Sequence, residues 1–108
     1  MDEITHLRRL CVNDPLLATD AGELWTIAVD SRTRALITLG ALVSVGAPDP
    51  SLRAAVDDAI TAGASSAQIV AVLDGLISVV GLPRVVAAAP MLAAALGHGE
   101  DITLDLPW

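Results

Sequence analysis

Few side chains in this 108-residue sequence can do chemistry, and the most conspicuous are Arg32 and Arg34. They stand two residues apart at the start of the segment 30–45, an otherwise apolar stretch opened by the helix-capping acid Asp30. A helix macrodipole favours cations at its C-terminal end, so arginines in a first turn need something to hold them there. A guanidinium beside the free N–H groups of a helix start is a good receiver for a carboxylate, and Arg34 is therefore the leading candidate for ligand binding. The plainer reading is a structural ion pair between Arg34 and Glu23, Asp30 or Asp74. Glu23 becomes a general acid or base if it is desolvated, and a helix cap or an arginine partner if it is not. Trp25 either lines a pocket or plugs a core or an interface. Asp74 is the one charge in a long apolar run. It is either the buried partner of an arginine or an exposed residue on a polar strip.

Other chemistries are poorly supplied. His6 and His98 lie far apart and lack ligand spacing to Cys, Asp or Glu, so no metal site and no cofactor are expected. One cysteine, Cys11, allows neither an internal disulfide nor a Cys-x-x-Cys redox pair, and it reads as a small buried or half-buried apolar residue. Ser51, Ser65 and Ser66 follow helix-capping logic, with no Gly-x-Ser-x-Gly elbow around any serine and no glycine-rich phosphate loop. A formal net charge of −7 with scattered arginines excludes a nucleic-acid surface.

The elements that must position these residues are all helical. Asp2 caps a first helix with Ile4, Leu7, Leu10 and Cys11 on one face. Asn13-Asp14-Pro15 stops it, a short turn passes through Leu16 and Leu17, and Asp20-Ala21-Gly22 is a second break. Residues 30–45 are apolar on every side, which predicts a central helix wrapped by the rest of the chain. After Gly46-Ala47-Pro48, Asp49 caps a helix to about Ala62, with Leu52, Val56, Ala59 and Ile60 inward and an Arg53–Asp57 pair outward. Gly63 ends it, and Ser65-x-x-Gln68 is a capping box for a helix whose stripe is Ile69, Val72, Leu73, Leu76, Ile77 and Val80. Gly81 and Pro83 introduce a last helix with Val85, Val86, Ala89, Leu92, Ala93 and Leu96 on its inner face, interrupted by Pro90 and ended by Gly97. Gly40 and Gly75 mark close helix crossings, or Gly75 leaves a small cavity. The sequence thus reads as one all-α domain over 1–108, with a less regular segment over 1–20 and an acidic tail over 98–108. In that tail Ile102, Leu104 and Leu106 alternate before Trp108, as in an arm that docks on something.

Composition adds a constraint. The chain is 54% hydrophobic with a mean hydropathy of +0.64, yet it has no Phe or Tyr. A domain this small cannot hide so much apolar area alone, so the excess is expected between subunits. A membrane span is not expected, because no uncharged run reaches roughly 18–20 residues. No signal peptide is expected either, since Asp2 and Glu3 stand where a basic region belongs. These features fit a cytoplasmic protein.

In this order the chain resembles the carboxymuconolactone decarboxylase family, which also contains the alkyl hydroperoxidase D-like proteins. The resemblance covers roughly residues 22–96. It is carried by Gly22-Glu23-Leu24-Trp25, by Asp30-Ser31-Arg32-Thr33-Arg34-Ala35-Leu36-Ile37-Thr38, by Ala62-Gly63-Ala64-Ser65 with Ile69 and Val72-Leu73, and by Gly81-Leu82-Pro83. It implies an all-helical fold around an antiparallel helical hairpin, assembled as a homotrimer or homohexamer. The peroxidase-like members it resembles carry Cys-x-x-Cys-x-x-x-His with an upstream Glu. The matching positions here fall near Pro48, Ser51, Ala55 and Leu36, so thiol chemistry is lost. The decarboxylase branch implies His at Ala55, and His and Tyr at Gly75 and Val79, none of which can hold a carboxylate or donate a proton. Of the family's polar residues Glu23, Trp25 and Arg34 survive. The expectation is an oligomeric protein of this family without redox cysteines, binding a small acidic or apolar molecule or serving as an accessory protein. The alternative is a decarboxylase or lyase acting on a small carboxylated lactone through Arg34 and Glu23.

Overall fold

The computed structural model describes residues 2–20 and 22–98. Among them are seven helices and no strand, so the fold is all-α as expected. The chain divides into two compact units, Met1–Ser31 and Arg32–Trp108.

The first unit holds α1 (Glu3–Cys11), α2 (Leu17–Asp20) and α3 (Glu23–Ala28). Asp2 caps α1: its carboxylate accepts from the Thr5 amide at 2.7 Å and the Thr5 hydroxyl at 3.2 Å. Those two hydrogen bonds, the amide's first, hold the carboxyl below the ordinary aspartate value. Past the helix end Asn13 takes a left-handed conformation, with φ +52°. An Arg9–Asp14 ion pair at 3.5 Å and a Leu16 amide donating to Asp14 then fix the turn. That Asx-type turn occupies residues 14–16, so α2 starts two residues after Pro15 rather than at it. None of the residues of α1 is buried. Its apolar face of Ile4, Leu7 and Leu10 is open, and Cys11 is exposed, contrary to the burial expected of it. The short α3 has no periodicity to announce it; six residues are too few for a stripe.

The second unit contains nearly all of α4 (Ser31–Val45), with α5 (Asp49–Thr61), α6 (Ser66–Val80) and α7 (Leu82–Ala95). Its core joins Leu39 and Val43 of α4, Leu52, Ala55, Val56 and Ala59 of α5, Ile69 and Leu73 of α6, and Val85, Ala88 and Leu92 of α7. No polar or charged residue among the described ones is buried with them. The capping box at Ser65 forms as the spacing predicts, the Gln68 amide donating to the Ser65 hydroxyl and the Ser65 amide to the Gln68 side chain. Gly81 alone joins α6 to α7. Val70 and Leu73, early in α6, share a cleft with Ala89, Leu92 and Leu96, late in α7, so the two form an antiparallel hairpin. α7 also packs on α5.

Several details differ from the sequence reading, among them Ile60 and Val86, expected on inner faces but 47% and 57% exposed because each lies off the stripe that its helix buries. Pro48 takes the N-cap position of α5 and Asp49 falls in its first turn, which places the helix start one residue early. Arg53 and Asp57 make no ion pair among the described residues. In addition, α4 is not buried all round. It sinks only the stripe Leu39, Gly40 and Val43, while Ile37 is 50% and Val45 72% exposed. One chain simply supplies too few partners to cover such a helix. α7 runs on past Pro90 to Ala95. The carbonyl of Val86, deprived of its usual donor, lies on an exposed side where water can serve it.

The end of α4 shows a cation in its favoured place. Gly46 ends the helix at φ +70°, with its amide on the Val43 carbonyl and the Ala47 amide on the Leu42 carbonyl. The Arg84 guanidinium lies over Gly46, so a side chain there would have to displace it as well as adopt the positive φ. Positive charge thus sits at the negative end of the α4 dipole.

Candidate functional site

A groove of about 450 Å³ runs between α4 and α6. Its α4 wall is Thr33, Leu36, Ile37, Gly40, Ala41 and Ser44, and its α6 wall is Ala71, Val72, Gly75 and Leu76. Two small-residue steps make the space. Gly40 lets the helices approach, since a methyl there would already touch Val72 at 3.5 Å and Leu76 at 4.0 Å. Gly75 instead faces open space, with nothing within 4 Å of a Cβ built on it. It opens the groove rather than tightening a crossing. The lining is apolar apart from two hydroxyl residues, and the Ser44 hydroxyl donates inward to the Gly40 carbonyl at 2.7 Å. The Thr33 end therefore carries the groove's main polar opportunity.

Arg34 follows Thr33 in the first turn of α4 and is half-buried. Asp74 is exposed on α6 beside Gly75 and makes no ion pair among the described residues, which leaves the exposed one of its two readings. In the N-terminal unit, Trp25 lines a separate cleft of about 310 Å³ with His6, Leu24 and Val29. Glu23 is exposed in the first turn of α3, where a negative charge suits the helix start. Sequence reasoning had singled out Trp25 but not His6 beside it. It also missed Thr33, Ser44 and Ala71 as groove residues. The legible signal was the run of small side chains at 40, 41 and 44 facing those at 71 and 75.

The positions left without chemistry are equally plain. Ala55 is 4% exposed, packed in the apolar core. Gly75 lines the groove without a side chain, and Val79 is 74% exposed. Among the described residues no group of three or more His, Cys, Asp and Glu side chains comes together as a metal site. No described helix is long and apolar enough to cross a membrane.

An all-α unit built on an antiparallel hairpin is the architecture the sequence resemblance implied. The model of the carboxymuconolactone decarboxylase family matches residues 12–94, and the chain belongs to that family. Neither the curated proteins nor the solved structures gave a match.

Proposed function

We propose that this chain is a homo-oligomeric, non-peroxidase member of its family that binds a small apolar molecule bearing a carboxylate in the α4–α6 groove. The observation that carries this reading is the groove itself, apolar along its length, with Thr33 at the α4 N-terminal end of its lining and half-buried Arg34 next to Thr33 in sequence. Apolar walls with a few polar groups are the usual composition of a small-molecule site. Arg34 supplies the cation for the carboxylate, Thr33 a hydroxyl, and Leu36, Ile37, Val72 and Leu76 the apolar contact. The lyase reading through Arg34 and Glu23 has family membership behind it, but Ala55, Gly75 and Val79 offer no proton donor. Binding without turnover is therefore the better-supported function.

Self-association follows from the uncovered apolar residues, among them Ile37, Val45, Val79 and Val86. Light scattering should return a homotrimer or homohexamer, and a stable monomer would contradict this part of the reading. Binding is tested by thermal shift against a panel of aromatic and lactone carboxylates and their uncharged amides. Stabilisation by acids but not amides, lost in Arg34→Gln while the oligomer persists, is the expected result. Stabilisation that survives Arg34→Gln would remove Arg34 from the site.

A further inference from the structure

We infer, resting on the self-association proposed above, that the apolar stripe of α1 packs in parallel against the α1 of a second copy. A surface helix ordinarily turns its apolar side to its own chain, and α1 does the reverse. Its two half-buried residues are polar: His6, which lines the cleft with Trp25, and Arg9, which pairs with Asp14. At helical period they lie opposite Ile4 and Cys11. Ile4, Leu7 and Leu10 are each more than half exposed, and Cys11 is exposed beside them. Among the described residues the stripe is displayed rather than covered.

Spacing and charge select a second α1 as the occupant. Ile4, Leu7 and Cys11 fall three and then four residues apart, the a, d and next a of a heptad. Ile at a with Leu at d is the combination of parallel two-stranded pairs. On that register Glu3 flanks the seam at g and Arg8 flanks it at e. In a parallel pair the g residue of one helix faces the e residue five positions on in the other. Each Glu3 therefore meets Arg8 of the partner subunit. Neither makes an ion pair within the chain among the described residues, so both charges are available to a second copy. An antiparallel pair would set the Glu3 flank against itself and lose both contacts. Nine residues are too few to join two chains alone, so the pairing is one contact of a larger interface whose other parts bring the helices side by side.

The test uses the full chain, whose one cysteine makes every thiol cross-link a bridge between Cys11 residues of two copies. Light scattering establishes the oligomer, which is then treated with a short bismaleimide and run on a denaturing gel. The expected result is a covalent dimer formed far faster than in Cys11→Ser with Val12→Cys, which turns the thiol about 100° off the seam. Leu7→Glu, at an exposed position of the single chain, should slow cross-linking at least about tenfold. Glu3→Arg and Arg8→Glu should each slow it roughly two- to fivefold, and the two together should restore it. Both swaps oppose the α1 dipole, so only contact between copies can make the double variant recover. An intact oligomer that cross-links no faster than the Val12→Cys control overturns the inference and leaves the self-association standing. The stripe would then pack on a different face of a second copy. A cross-link that the double swap fails to restore also overturns the parallel register. A monomer in light scattering overturns both this pairing and the self-association on which it rests.

Discussion

Gly75 separates stability from binding. It lies inside α6, and nothing approaches within 4 Å of a Cβ built there. Gly75→Ala therefore gains helix propensity without a clash, about 0.8–1 kcal/mol. For a domain of this size that raises the melting temperature by roughly 4–8 °C. The same methyl projects into the groove against any bound ligand. Overpacking a filled site costs about 1–3 kcal/mol, so ligand affinity should fall roughly 5- to 150-fold. Gly75→Leu keeps a good helix former and should abolish binding altogether. The assay is differential scanning calorimetry on the free variants, with calorimetric titration of the best acid from the panel. Two results would refute the reasoning. If Gly75→Ala lowers the melting temperature, the position is covered and not open. If Gly75→Leu dissociates the oligomer, the groove is filled by a second copy rather than by a small molecule.

Three further outcomes test the fold that carries the groove. Leu39 is fully buried where α4 meets the core, so Leu39→Ala should destabilise the chain by about 2–5 kcal/mol in urea unfolding. A loss well under 1 kcal/mol would mean that α4 is not anchored as described. Ser65→Ala removes one half of a formed capping box and should cost about 0.5–2 kcal/mol, with Ser65→Asp recovering most of it in the same measurement. Asp2 provides a pH readout. Its folded value is lowered, so the cap is complete above the ordinary aspartate range and is lost as pH falls through the lowered value. The Thr5 amide proton shift in NMR should titrate with a midpoint below that of an unstructured aspartate, and Asp2→Asn should abolish the titration. A midpoint at or above the ordinary value would remove the cap.

The helices were legible where the sequence states its own boundaries. Ser65 and Gln68 specify their cap through local hydrogen bonds alone, and the stripe from Ile69 to Val80 needs only helical period to be recognised. Gly46, Gly63, Gly81 and Gly97 likewise mark ends through backbone conformation, a local property. Burial was harder to read because it depends on what is packed against a helix. The segment 30–45 looked buried on every side, yet Ile37 and Val45 remain open in a single chain. Cys11 failed for the same reason, since α1 has an apolar face with little to cover it. Of the proposed site, the helix over residues 31–45 and Arg34 were visible in the sequence. The groove was only partly so: the small residues at 40, 41, 44, 71 and 75 stand in the sequence, but that they face one another across α4 and α6 depends on how the two helices pack.

The claim at the centre of this account is that Arg34 holds a carboxylate ligand without turning it over. Isothermal titration of wild type and Arg34→Gln with the tightest acid of the panel, followed by recovery and analysis of that acid, tests it most directly. The account predicts saturable binding by wild type, at least a tenfold loss in Arg34→Gln with the oligomer intact, and an acid recovered unchanged. Equal binding by the two proteins, or release of carbon dioxide from the acid, would contradict it.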